Sequence, residues 1–188
     1  CALPISGQVG AAPIQNIGAY GQEVADVLVS VTALDRASAE LVSWSRAACG
    51  FGYRDSRFKR EPNRWLVLDV TLQLRPGGAP SIRYAQLADA LSEHPCPSLH
   101  HVRQAVLGLR RHKGMVLDAR DPDSRSCGSF FTNPVVTPPQ ADAIERVLGG
   151  PMPRYGAPEG CKLSAAWLIE RCGMTRGWGE GAVRSEEH

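Results

Sequence analysis

Residues 64–74 read RWLVLDVTLQL, and their alternation decides the fold class. Trp65, Val67, Asp69, Thr71 and Gln73 fall on one side of an extended chain, and Leu66, Leu68, Val70, Leu72 and Leu74 fall on the other. Successive side chains of a strand point to opposite faces, so the stretch predicts a strand whose leucine face is strongly buried. Upstream, VADVLVSVTAL (24–34) is rich in β-branched residues with partial alternation and reads as a second strand. Between the two, SAELVSWSRAAC (38–49) reads as a short helix with Ser38 as N-cap and Leu41, Trp44 and Ala48 on one face. FGYRDSRFKR (51–60) follows as a turn.

Downstream, RPGGAP (75–80) is a turn or exposed loop. YAQLADALSEH (84–94) and SLHHVRQAVLGLRRH (98–112) are helical, the second with Val102, Val106 and Leu109 in one stripe. DARDPDSRS (118–126) is a polar loop, and Phe130–Val136 a short strand broken by Pro134 at a sheet edge or strand end. PQADAIERVLGG (139–150) reads as a helix with a glycine stop, PMPRYGAPEG (151–160) as an irregular loop, and KLSAAWLIERCGM (162–174) as a helix ending at Gly173. Mixed strands and helices, with a change of subdomain near 112–120, predict an α+β chain of two lobes.

The chain has 188 residues with a formal charge of +2, 43% hydrophobic and 21% charged residues, so its charge does not point to nucleic acid or a membrane surface. No apolar run approaches the ~20 residues of a membrane span, and the first residues have neither the basic nor the apolar region of a signal peptide. The six cysteines form no C-x-x-C pair, and with no export signal the chain reads as cytoplasmic with reduced thiols. His94, Cys96, His100 and His101 do not have the spacing of a common zinc site and read better as a polar helix start.

The two ends do not continue the patterns beside them. RSEEH can be written AGA TCG GAA GAG CAC and CALPI can be written TGT GCT CTT CCG ATC, which are reverse complements offset by one nucleotide. Both resemble the translated strands of a common short-read sequencing adapter. Residues 1–6 (Ser6 being ambiguous) and 184–188 are therefore expected to be library sequence, and the natural chain to run past both.

Several groups could carry chemistry. GQVGAAPIQNIGAYGQ (7–22) is rich in Gly and Ala, and such a segment lets backbone N–H groups approach a ligand closely, although a turn-rich loop has the same composition. In YRDSRFK, Arg54 sits on a turn, where its fork suits a carboxylate; an ordinary surface pair with Asp55 is the plainer reading. Arg110, Arg111, His112 and Lys113 at a helix end would suit a diphosphate or simply complement the helix dipole. Ser129 and Asn133 lie four residues apart in CGSFFTNPVV, where a turn serine is the plain reading. The glycines of GWGEGA (177–182) lack the preceding strand and βαβ unit of a dinucleotide fingerprint.

Together, GAAPIQNIGAYGQE, FGYRDSRFK, CGSFFTNPVV and KLSAAWLIERCG look like consecutive signature segments of the UDP-N-acetylenolpyruvoylglucosamine reductase (MurB) family, flavoenzymes of bacterial cell-wall precursor synthesis. The order matches, and the resemblance covers nearly all of residues 7–183. It implies part of a second FAD-binding α+β lobe over 7–112 and an incomplete, smaller α/β substrate-binding lobe over 113–183. It also implies that FAD, reduced by NADPH, passes hydride to C3 of the enolpyruvyl ether of UDP-N-acetylglucosamine enolpyruvate, giving UDP-N-acetylmuramate.

By the same resemblance, Arg54 stabilises the enolate charge and Ser129 protonates C2. A hydroxyl is a weak acid, so a nearby cation or relay would have to support that proton's departure. Phe130 and Phe131 would exclude water there. Tyr84, Arg110, Lys113 and Asn133 match substrate-binding positions, and Gly10, Ala11, Gln15, Asn16, Gly18 and Ala19 lie in the segment that contacts the flavin. Two family features are missing from this sequence: an N-terminal lobe with its own Gly-rich flavin loop, and a C-terminal glutamate in a Leu-Glu-Pro-Glu-like segment that pairs with the arginine. Glu186 and Glu187 are not substitutes for that glutamate. The 188 residues alone are therefore expected to be inactive. A non-catalytic UDP-sugar-binding module is the alternative of a different class. The sequence leaves the oligomeric state open.

Overall fold

The 64–74 stretch is a strand, but the face it buries is the one opposite to its leucines. The computed structural model describes residues 8–121, 124, 130–158, 160–175 and 178–179, and the chain divides into two units between His112 and Lys113. Both proposed adapter segments lie outside the described residues.

In the first unit, a 3-10 turn at Val9–Ala11 precedes the short strands β1 (Gly18–Ala19) and β2 (Gln22–Glu23), followed by a second 3-10 turn at Val24–Asp26. Then come β3 (Leu28–Asp35), β4 (Leu41–Ser45), helix α1 (Arg57–Arg60), β5 (Trp65–Leu72), α2 (Ala85–Ala90) and α3 (Leu99–His112). β1 and β2 form a hairpin, and β3 is the centre of an antiparallel sheet of order β4-β3-β5. Val31 lies between Trp44 and Val70, and Ala33 between Val42 and Val67. Leu28, Val31, Ala33, Cys49 and Phe58 form the buried core, with Trp44, Trp65, Val67 and Val70 packed against it. The Trp44 and Trp65 rings meet edge to face at 5.1 Å, a favoured aromatic geometry.

A bulge explains the inverted strand. Thr32 pairs with Asp69 and Ala33 with Val67, so Leu68 is an extra residue on β5. The bulge brings Val67 and Val70, three residues apart, onto the same inner face. Leu66 and Leu68 are left about half exposed on the outer face, and Leu72 and Leu74 are also exposed.

The helix expected over 38–49 is instead the strand β4 and the turn that follows it. Val42 and Trp44 alternate inward while Leu41, Ser43 and Ser45 are exposed, which is a strand's period of two. Ser38 Oγ accepts from the Glu40 N–H, closing the β3–β4 turn rather than capping a helix. At that turn Asp35 is buried and accepts from Arg64 Nη2 (3.0 Å) and Nε (3.3 Å) and from the Ala37 N–H. The Arg64 hydrogen bond, aided by that of Ala37, holds the Asp35 carboxyl below its ordinary range. Burial pushes the Cys49 thiol up.

α3 occupies its expected stretch, whereas the helix expected over 84–94 is limited to α2, Ala85–Ala90, with a turn after it. α3 starts in a reciprocal cap: His101 N–H donates to Ser98 Oγ and Ser98 N–H to His101 Nδ1, with His94 stacked on His101 at 4.3 Å. No described group of three metal-ligating side chains gathers there or elsewhere, and no described helix is long and apolar enough to cross a membrane.

The second unit contains β6 (Val135–Val136), α4 (Pro138–Leu148), β7 (Arg154–Ala157), β8 (Gly160–Leu163) and α5 (Ala165–Arg171). Its sheet, of order β6-β8-β7, is wholly antiparallel, so this unit is α+β and not α/β. Ala141, Met152 and Leu163 are its buried centre, against Val136, Ile144, Trp167 and Leu168. α4 begins at a Thr137–Gln140 capping box with prolines in its first turn and ends at Gly149 (φ 66°). Arg154 of β7 bonds Asp142 (2.6 Å) and Glu145 of α4, and the Met152 N–H with Arg154 holds the Glu145 carboxyl low.

The expected strand over 130–136 is reduced to β6. The segment expected to be an irregular loop over 151–160 contains β7. Lys162 and Leu163, expected to be helical, belong to β8, and the helix starts only after Ser164, whose Oγ accepts from the Trp167 N–H. Seven helical residues are too few for their period to stand out against the apolar strand that leads into them.

Candidate functional site

The Gly-rich segment and the arginine turn are joined by side chains that the sequence does not mark as partners. Asn16, 1% exposed and in a left-handed backbone conformation (φ 43°), donates through Nδ2 to Glu23 Oε2 (2.7 Å) and Gly52 O (3.0 Å). Its Oδ1 accepts from the Ala25 N–H at 3.0 Å. A buried amide with every partner in place fixes the backbone around it. Ser56 is fully buried, caps α1 by accepting from the Lys59 N–H, and donates to Ile14 O at 2.5 Å. The turn at 52–55 is closed by the paired N–H and C=O groups of Gly52 and Asp55.

Arg54 lies on that turn with φ 52°, an uncommon conformation for a side chain of its size. Lys59 Nζ fixes its carbonyl at 2.7 Å, and Arg60 pairs with the neighbouring Asp55. The Arg54 guanidinium reaches back to the β1–β2 hairpin: Nη2 donates to Gly18 O at 2.6 Å, and Nη1 to Asn16 O and Glu23 Oε1, each at 3.4 Å. The plainer sequence reading, a pair with Asp55, does not hold, because Asp55 bonds Arg60 and Arg54 turns to the hairpin. Glu23 carries the other half of this arrangement and was not singled out from the sequence. The one signal for it was its place at the end of GAYGQE.

Tyr84 comes to the same hairpin. It precedes α2, and its ring meets the ring of Tyr20 edge to face at 5.6 Å. A Cβ on Gly21 (φ 79°) would approach Arg83 Cβ to 2.9 Å, so a glycine lets residues 83–84 lie against the turn. The first unit thus brings together Asn16, Gly18, Ala19, Arg54 and Tyr84.

The segment fits a flavin in its chemistry. Gln15 and Ala19 are exposed, and Gly10 and Gly18 present no side chain. The Asn16 amide is wholly engaged internally, and its backbone C=O already accepts from Arg54 Nη1. Gly10 and Ala11 belong to the first 3-10 turn, where a Cβ on Gly10 would lie an ordinary 3.7 Å from Val67 O of β5.

Arg110 is half-buried in the last turn of α3. Lys113 begins the second unit. Asn133 in that unit uses its Oδ1 to accept from the Ala165 N–H at 2.9 Å, which holds the start of α5. Ser129 lies outside the described residues. Phe130 and Phe131 pack edge to face on each other at 5.2 Å and are both largely exposed.

Known proteins match this chain along nearly all of its length. The chain is 46% identical to the UDP-N-acetylenolpyruvoylglucosamine reductase of Streptomyces coelicolor over 98% of its own residues and 51% of that protein. It is 48% identical to the Thermobifida fusca protein of the same name over 95% of its residues and 53% of that protein. The family model for UDP-N-acetylenolpyruvoylglucosamine reductase, C-terminal domain, matches residues 121–188. Along nearly all of its own length the chain is similar to UDP-N-acetylenolpyruvoylglucosamine reductases. It spans about half the length of the curated reductases it matches. The crystal structure of the Thermus caldophilus reductase overlaps 88% of this chain and 55% of its own, with a TM-score of 0.39 at 21% identity, and adds nothing to the sequence match.

Proposed function

We propose that the protein carrying this chain reduces UDP-N-acetylglucosamine enolpyruvate to UDP-N-acetylmuramate in the cytoplasm, for peptidoglycan synthesis, with bound FAD and with NADPH as reductant. What supports this reading is the cluster in which Arg54 is clamped to the hairpin Gly18–Glu23 beside Tyr84, in a chain 46% identical to a named reductase. On this reading the backbone of Gly10, Ala11, Asn16, Gly18 and Ala19 and the side chain of Gln15 hold the flavin. When bound, FAD supplies the hydride that reaches C3 of the enolpyruvyl ether.

The chain's own groups do the rest. Arg54 sets a permanent positive charge where negative charge develops on the enolate; electrostatic stabilisation of this kind is often the largest single contribution to a rate. Ser129 gives its proton to C2. Tyr84, Arg110, Lys113 and Asn133 bind the substrate, Tyr84 at its nucleotide diphosphate.

The test uses the full-length protein that carries this chain and follows its two half-reactions separately. Ser129→Ala is expected to leave flavin reduction by NADPH nearly intact and to collapse reoxidation by the enolpyruvyl nucleotide. Equal loss in both would make Ser129 structural. Binding of the nucleotide with no flavin and no turnover would favour a UDP-sugar-binding module instead.

A further inference from the structure

Arg54 does not hold its own position. Its side chain is 27% exposed and has many rotatable bonds, so in water its guanidinium would sample many placements. Gly18 O and Asn16 O accept from the fork, and both are backbone groups of the Gly-Ala segment. The Glu23 carboxylate makes that segment a rigid partner. Oε1 faces Arg54 Nη1 and Oε2 accepts from the buried Asn16 amide, and Glu23 stands at the N-cap of the 3-10 turn at Val24–Asp26 in a capping-box arrangement with Asp26. The Glu23 N–H in turn donates to Asp26 Oδ2 at 2.9 Å. One carboxylate therefore ties the arginine, the buried amide and the hairpin exit into a single body. Among the described residues, Arg54 Nε–H makes no hydrogen bond, so the clamp leaves part of the fork for an incoming anion.

We infer that Glu23 is a positioning residue for Arg54: it holds the guanidinium in the one placement from which its unpaired N–H can meet the developing enolate. This rests on the reductase reading above. Glu23 is distinct from the C-terminal glutamate implied by the family resemblance, and it acts through Arg54 and Asn16 without touching substrate.

The experiment compares Glu23→Gln, Arg54→Ala and the double variant in the full-length, FAD-loaded protein. A glutamine keeps an acceptor for Asn16 Nδ2 but sets an N–H donor against Arg54 Nη1. Glu23→Gln is expected to slow flavin reoxidation by the enolpyruvyl nucleotide at least tenfold, with FAD content, flavin reduction by NADPH and KM for the nucleotide little changed. In the Arg54→Ala background the same change is expected to have no further effect, because the group it positions is gone; a merely structural role would add its loss there too. A normal Glu23→Gln rate beside an impaired Arg54→Ala overturns this inference alone, and additive losses do the same. A normal Arg54→Ala rate overturns both the inference and the reductase reading of Arg54. If Glu23→Gln does not retain FAD, Glu23→Asp replaces it: a folded Glu23→Asp protein at the parent's rate overturns the inference, and a slowed one supports it.

Discussion

Gly18 and Arg54 are in such close contact that a Cβ on Gly18 would lie 2.9 Å from Arg54 Nη1. The same Cβ would lie 2.8 Å from Glu23 Cγ and 2.9 Å from Gln22 O. The two side chains could swing away, but the Gln22 carbonyl is backbone in the paired strand. Gly18→Ala is therefore expected to open the hairpin and release the arginine together. Overpacking of this kind costs about 1–3 kcal/mol. Stability to chemical unfolding and the rate of substrate-driven flavin reoxidation should both fall.

Asp35 gives the first unit an acid-sensitive link. Its folded carboxyl lies below the ordinary range because Arg64 and the Ala37 N–H bond its charged form. Unfolded, it titrates near pH ~4. The stability from this link is fully present above that value and is lost as pH falls through the lower, folded pKa. Asp35→Asn should therefore flatten the acid side of the stability curve. Urea midpoints measured from neutral pH downwards would show the difference between parent and variant shrinking below about pH 4. A constant difference would mean that the carboxylate's charge is not what matters.

Gly160 is required by contact in the second unit. It begins β8 with φ 149°, and a Cβ there would drive into the Val136 carbonyl of the paired strand. Gly160→Ala should break the β6–β8 pairing at a loss of about 1–3 kcal/mol. Amide exchange should rise at Leu163, whose N–H donates to Pro134 O beside that pairing, while the β3–β5 ladder of the other unit stays protected.

What could be read in the sequence follows from how local each signal is. The period of α3 is carried by fourteen consecutive residues, and its extent was legible. The alternation of 64–74 was legible too, but not its polarity, because Trp65 and Val67 make the start of the second face apolar as well and a bulge cannot be seen in a single strand. ELVSWS failed as a helix because its partner is β3: pairing across a turn supplies what the local residue preferences do not. At the site, Arg54 and the Gly-rich segment could be named from the family resemblance. Their joining through Glu23 and Asn16 could not, since the bonds span seven to thirty-eight residues of chain.

The bulge itself can be tested by reversing the burial that simple alternation assigns. Val67 packs against the core and lies opposite Ala33, whereas Leu68 is 54% exposed and is the extra residue of the bulge. Val67→Ala removes buried methyl groups and should destabilise the first unit by about 1–2 kcal/mol. Leu68→Ala removes a larger side chain, yet at an exposed position its effect should stay within about 0.5 kcal/mol. A strict alternation with a buried leucine face demands the reverse order, with Leu68→Ala the more damaging by several-fold. Denaturant unfolding of the two variants side by side decides between these: a larger loss at Leu68 would mean the strand lacks the bulge and that its leucine face is the one packed inside.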